Sequence, residues 1–120
     1  MGNPVAWFEI VGKDGEKLRS FYRDLFEWQI DSSDSGMDYG LVPAQPKGIG
    51  GGIGRSEDGG MGHVTVYVEV DDPAGYLAKA EKLGGTTVVP PTEIPGFGLT
   101  FAFFADPEGH VVGLSRGAVQ

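Results

Sequence analysis

Apolar positions along the chain follow two periods, one of about two residues and one of about 3.6. "VAWFEIV", Val5 to Val11, is a short run rich in β-branched and aromatic residues and predicts a strand. Pro4 stands just before it, where a missing N–H costs little. From Asp14, an N-cap residue type, "DGEKLRSFYRDLFEW" sets Leu18, Phe21, Tyr22, Leu25 and Phe26 at helical spacing and predicts an amphipathic helix with one apolar stripe. "YGLVPA" and "GIGGGIG" predict strands separated by a Pro-rich turn, and "RSEDGGMG" is a polar, glycine-rich linker. Beyond it "HVTVYVEV" is the strongest strand by composition. "DDPAGYLAKAEKLGG" then offers an Asp cap, an early Pro, apolar Tyr76, Leu77, Ala80 and Leu83, and a Gly stop. "LTFAFFA" and "HVVGLS" predict two more strands joined by the Asp-Pro-Glu-Gly turn.

The order strand, Asp-capped helix, trailing strands recurs when the chain is shifted by about 58 residues. Trp7 then falls on Thr65, Asp14 on Asp72 and Leu25 on Leu83. Identity across the repeat is slight, so the inference rests on the order and spacing of elements. It predicts an α+β fold: one domain over 1–120, built of two tandem βαβββ modules at about 1–57 and 62–120.

A chain of 120 residues is large enough for one such core. The absence of cysteine excludes disulfides, thiolate metal sites and cysteine nucleophiles. No apolar run approaches the roughly 20 residues of a membrane span, and no signal-type segment opens the chain, so a cytoplasmic protein without membrane contact is expected. The net charge of −8 argues against nucleic acid, whose phosphates call for clustered Lys and Arg, and suits a neutral or cationic small molecule. No Ser-His-Asp spacing or nucleophile elbow occurs. "GIGGGIG" contains a GxGxxG-like string with no helix after it, which does not make a dinucleotide site.

"WFEIVGKDGEKLRSFYRDLFEW", "GIGGGIG", "VTVYVEVDD", "KAEKLGGTTVVPPTEIPGFG" and "FFADPEGHVVGL" together resemble, over nearly the full length, the glyoxalase/bleomycin-resistance/extradiol-dioxygenase group, the vicinal oxygen chelate superfamily, and the likeness is strongest to small single-domain members related to lactoylglutathione lyase. It implies a curled mixed sheet around a cavity and a homodimer to which the first strand contributes. In the metal-dependent members four inward-facing strand positions hold ligands. Those positions here are Trp7, Thr65, Gly51 or Gly52, and Gly113, none of them a usual ligand. No metal and no cofactor are therefore expected, with the volume at Gly113 left open; a bulge or close backbone approach is the other reading of that glycine.

Alternation places Val5, Trp7, Glu9 and Val11 on one strand face, and His63, Thr65, Tyr67 and Glu69 on the matching face of the second module. Trp7, Glu9, Tyr39, Thr65, Tyr67, Phe97, Phe101 and Gly113 are the candidate ligand-binding residues, with Leu41 and Phe104 as further wall candidates. The expected function is sequestration, of the resistance type, of a small aromatic or amphipathic molecule. The alternative is an enzyme of the superfamily, either a metal-dependent lyase, isomerase or dioxygenase, or a metal-free acid-base catalyst. Glu9 is the catalytic candidate in the latter, or else a carboxylate at a strand end. His63 and His110 are both expected to meet solvent at strand starts. Finally, Glu27 stands where related chains carry the helix-stopping glycine, which predicts a strained left-handed residue.

Overall fold

A computed structural model describes residues 2–31, 38–56 and 60–117 of the chain. It has an α+β fold whose elements run β1 (Val5–Gly12), α1 (Gly15–Phe26), β2 (Tyr39–Val42), β3 (Gly50–Arg55), β4 (His63–Glu69), α2 (Pro73–Lys82), β5 (Thr86–Ile94), β6 (Leu99–Ala105) and β7 (Val111–Arg116). They divide into two compact units, one of residues 7–64 and one of residues 1–6 with 65–119.

In the unit of residues 7–64, β3 lies between β2 and β1, antiparallel to β2 and parallel to β1. The parallel register sets Trp7 beside Gly50 and Glu9 beside Gly52. Asp31 forms a single antiparallel bridge to Leu41, and residues 32–37 lie outside the described residues. The core is Ile10, Val42 and Ile53, with Phe8, Leu18, Tyr22, Trp28 and Ile30 packed against it.

Helix α1 starts where Asp14 accepts a hydrogen bond from the Lys17 N–H at 3.0 Å, which satisfies one of the free donors of the first turn. It ends at Glu27, whose φ of 61° and ψ of 30° are left-handed, as expected for a residue in a glycine's place. The apolar stripe does not face inward as one surface. Leu18 and Tyr22 reach the core, whereas Phe21, Leu25 and Phe26 are each more than half exposed. The reason is Arg19, which occupies the buried face instead. Its guanidinium donates to the Ile53 carbonyl at 3.2 Å and pairs with Asp38 at 2.7 Å, and this turns the helix so that part of the stripe overhangs.

The other unit carries the full βαβββ order. Strand β7 lies parallel to β4 and antiparallel to β6, and β5 forms the edge beyond β6. Val70, Leu77, Ala102 and Leu114 make its core, covered by Val68, Tyr76 and Phe104. Asp72 caps α2 by accepting from the Gly75 N–H at 3.2 Å. Leu83, expected in the apolar stripe of α2, lies past its end and is largely exposed. Strand β5 contains Pro90 and Pro91, a pair that reads as a turn. An edge strand tolerates them, since N–H groups on one side have no partner, and the register with β6 shifts on both sides of Val89. Among the described residues no helix is long and apolar enough to cross a membrane.

Candidate active site

Two residues apart on β1, Trp7 and Glu9 share a face. Beside Glu9 in the register stands Gly52, and a Cβ built there would fall on the ring of Tyr39. The missing side chain is thus what lets the tyrosine of β2 lie across β3 and reach β1. Its hydroxyl donates to Glu9 Oε2 at 2.9 Å and accepts from Trp7 Nε1 at 3.3 Å.

His63 completes the group. Gly62, with φ of 77°, brings the linker so close to β1 that any side chain there would strike the Val11 carbonyl. The next residue then sets its Nε2 2.8 Å from Glu9 Oε1. A continuous hydrogen-bonded series results: Trp7, Tyr39, Glu9, His63. Its carboxylate is 13% exposed and its imidazole 32%.

Burial, followed by the charge of Glu9, holds the Tyr39 phenol far above its ordinary pKa. Tyr39 is therefore a donor to Glu9 at any physiological pH. Glu9 is the fifth residue of an eight-residue strand, not a carboxylate at a strand end. His63 does open its strand, yet it is two thirds covered and engaged with Glu9 where a solvated ring was expected. The alternation had placed both on matching faces; the partnership itself spans 54 residues of chain and left no local trace.

In the other unit the ring of Tyr67 lies over Gly113, its partner in the register; a Cβ on Gly113 would stand 2.5 Å from the Tyr67 ring. The volume expected to be open is filled by that ring, and close approach is the reason for the glycine. Phe103 packs 5.4 Å from Tyr67 and 5.8 Å from Phe101, so these rings form one tilted aromatic cluster. Thr65 is buried, with its hydroxyl donating to the Val111 carbonyl at 2.6 Å. Phe97 projects from the β5–β6 turn and is 62% exposed. His110 pairs with Asp106 in the exposed turn before β7, where the N–H of His110 above all holds the Asp106 carboxyl below its ordinary pKa.

The positions at which the superfamily ligates metal do not fit an ion here. Trp7 presents an indole, Gly52 and Gly113 are covered by tyrosine rings, and the Thr65 hydroxyl is used by the backbone. Among the described residues no three His, Cys, Asp or Glu side chains come together as a metal cluster would require.

The model of the glyoxalase-like domain matches residues 9–115. The chain belongs to that family. CFP32 of Mycobacterium bovis, a candidate glyoxylase by its name, is 28% identical over 118 residues, 97% of this chain and 45% of its own length. The anthracycline biosynthesis protein DnrV of Streptomyces peucetius is 30% identical over 131 residues, 96% of this chain and 47% of its own. The chain thus spans about half the length of these curated relatives. A crystal structure of a glyoxalase/bleomycin resistance protein/dioxygenase superfamily member from Vibrio splendidus 12B01 has the same fold, with a TM-score of 0.65, 10% identity, and coverage of 96% of this chain and 99% of that one.

Proposed function

We propose that this glyoxalase-like protein binds a small aromatic or amphipathic molecule without a resident metal, at a site centred on Trp7, Tyr39, Glu9 and His63. The observation that carries the reading is the hydrogen-bonded series itself. It fixes an indole at a family ligand position and sets a phenol, a carboxylate and an imidazole next to it. A flat apolar ring beside a few oriented polar groups is the composition that orients small ligands. The Streptomyces relative is named for the biosynthesis of anthracyclines, which are planar and polycyclic, and that agrees with an aromatic ligand. The net charge of −8 favours one that is neutral or cationic. A homodimer in the cytoplasm belongs to the same proposal; light scattering at 12.7 kDa would remove the dimer from it.

A thermal-shift screen of anthracyclines, hydroxyquinones and flavonoids tests the binding. The second indole, Trp28, lies in a separate aromatic cluster with Phe8, Tyr22 and Phe26, so Trp28→Phe leaves Trp7 as the sole reporter. A hit is expected to change Trp7 fluorescence and to lose about 1 to 3 kcal/mol of affinity on Trp7→Ala. Unchanged affinity in that variant would place the site elsewhere. For the metal, protein purified without an affinity tag is expected to hold well under one equivalent of zinc, nickel, iron or manganese, and chelator to leave Tm unchanged.

A further inference from the structure

We infer that the outward face of α1 is the contact surface for a second copy of this chain, two α1 helices packing antiparallel across a two-fold axis near Phe21. The inference rests on the homodimer proposed above and names the surface that forms it. Phe21, Leu25 and Phe26 are 57%, 56% and 53% exposed. With Tyr22 and Trp28 they make one largely aromatic patch: Phe21 meets Tyr22 edge-on at 5.1 Å, Tyr22 stacks on Phe26 at 6.2 Å, and Phe26 lies 5.2 Å from Trp28. The same helix buries Arg19, at 8% exposure, on its inward side. A helix that hides a guanidinium and turns three large apolar side chains to water is inverted for a free monomer, and a cover over those side chains removes the anomaly.

The size and the charges of the face select a second copy as that cover. The three side chains expose on the order of 300 Å² of apolar surface, a fitting share for the centre of an interface in which each partner buries about 800 Å². The exposed charges of α1 are two of each sign, Lys17 and Arg23 against Glu16 and Asp24, since Asp38 takes up Arg19. In a chain of net charge −8 this is a surface that two copies can share without repulsion. Lys17 and Asp24 stand four residues before Phe21 and three after it, on one edge of the ridge. A two-fold axis that reverses the helix through Phe21 sets each Lys17 beside the partner's Asp24, so that two pairs of opposite sign flank the apolar centre. Both charges oppose the dipole of their own helix, the cation in the first turn and the anion in the last, so they do not stabilise α1 by themselves.

Light scattering at micromolar concentration, with far-UV circular dichroism of each variant, tests the assignment. Wild-type protein is expected at twice 12.7 kDa. Phe21→Glu combined with Leu25→Glu is expected to raise the dimer dissociation constant by on the order of 100-fold while the helical signal is kept, since both side chains are more than half exposed within one chain. Lys17→Asp and Asp24→Lys are each expected to weaken the dimer about tenfold, and the two together to restore it, because the pairs across the axis are then merely exchanged. Charges that act only within their own helix would give no such rescue. A wild type at 12.7 kDa would count against the homodimer itself, and the α1 surface would fall with it; sedimentation of that monomer with phosphatidylcholine vesicles would assign the face to a membrane. A folded Phe21→Glu, Leu25→Glu protein that stays dimeric would overturn the α1 surface and leave the homodimer standing on another contact. If those substitutions unfold the chain, the charge exchange, confined to exposed side chains, decides alone: failure to restore the dimer would overturn the antiparallel pairing.

Discussion

The two units solve one packing problem in two ways. A shift of about 58 residues carries Glu9 onto Tyr67, and each stands in register beside a glycine of the parallel strand, Gly52 for the one and Gly113 for the other. Both glycines are covered by a tyrosine ring. Over Gly113 that ring belongs to the register partner itself, and Phe103 and Phe101 extend it into an aromatic cluster. Over Gly52 it comes from the other flanking strand, as Tyr39, which leaves the register partner free to be a carboxylate. One swap of the strand that supplies the ring thus separates a packed position from a chemical one.

The largest effect expected from breaking this comparison comes at the packed position. Tyr67→Ala removes a buried ring from above a residue that has no side chain to refill the space, and should cost about 3 to 5 kcal/mol. The checking measurement is urea denaturation of the variant and of Tyr67→Ala combined with Gly113→Ala. Because the Gly113 methyl would occupy part of the vacated volume, the double variant should be the more stable of the two. A double variant no more stable than the single would show that Tyr67 does not pack on Gly113.

A smaller effect, but one that differs in kind, is expected from the glycines alone. Gly52→Ala and Gly113→Ala each drive a methyl into a tyrosine ring, and overpacking of this sort costs about 1 to 3 kcal/mol. In the packed unit that is the whole consequence. In the other, Tyr39 must move away from Glu9, so the hydrogen bonds to Glu9 and from Trp7 are lost with it. Only Gly52→Ala should therefore alter Trp7 fluorescence, measured in the Trp28→Phe background. Equal spectral changes from both substitutions would erase the distinction between the units.

These contrasts also mark how much could be read from the chain. Capping is local chemistry, and Asp14, Asp72 and the left-handed Glu27 all stand as their residue types and positions indicate. Strand period gave the shared face of Trp7 and Glu9. Strand β5 is implied by the βαβββ order but is assigned to no segment by the residue pattern, and its Pro90 and Pro91 are acceptable because of the strand's place at a sheet edge, which is a property of the partners. The stripe of α1 misled for a related reason: Arg19 found a carbonyl and a carboxylate to hold it inside, so Phe21, Leu25 and Phe26 were left out. The site's own contacts join residues 30, 32 and 54 positions apart, and the glycines that permit them read as gaps in strands until the rings above them are known.

The smallest predicted effect concerns how the two helices stop. Helix α2 passes through Leu83, with φ of −95°, to Gly84, with φ of 105°, so the positive dihedral is taken by a residue without a Cβ. Helix α1 asks Glu27 to adopt φ of 61°. A non-glycine residue there is strained by about 1 kcal/mol, partly offset by the extra freedom a glycine has in the unfolded chain. Glu27→Gly should raise Tm by a few degrees, while Gly84→Ala, near which the Pro107 ring alone among the described residues stands at 3.6 Å, should lower it through the dihedral. Because Glu27 contributes no contact to the Trp7–Tyr39–Glu9–His63 series, the same variant should leave Trp7 fluorescence and ligand affinity where they were. A fall in Tm on Glu27→Gly would mean that the Glu27 side chain contributes more than its backbone conformation costs, and that the two helix ends differ by design of the surface rather than by strain.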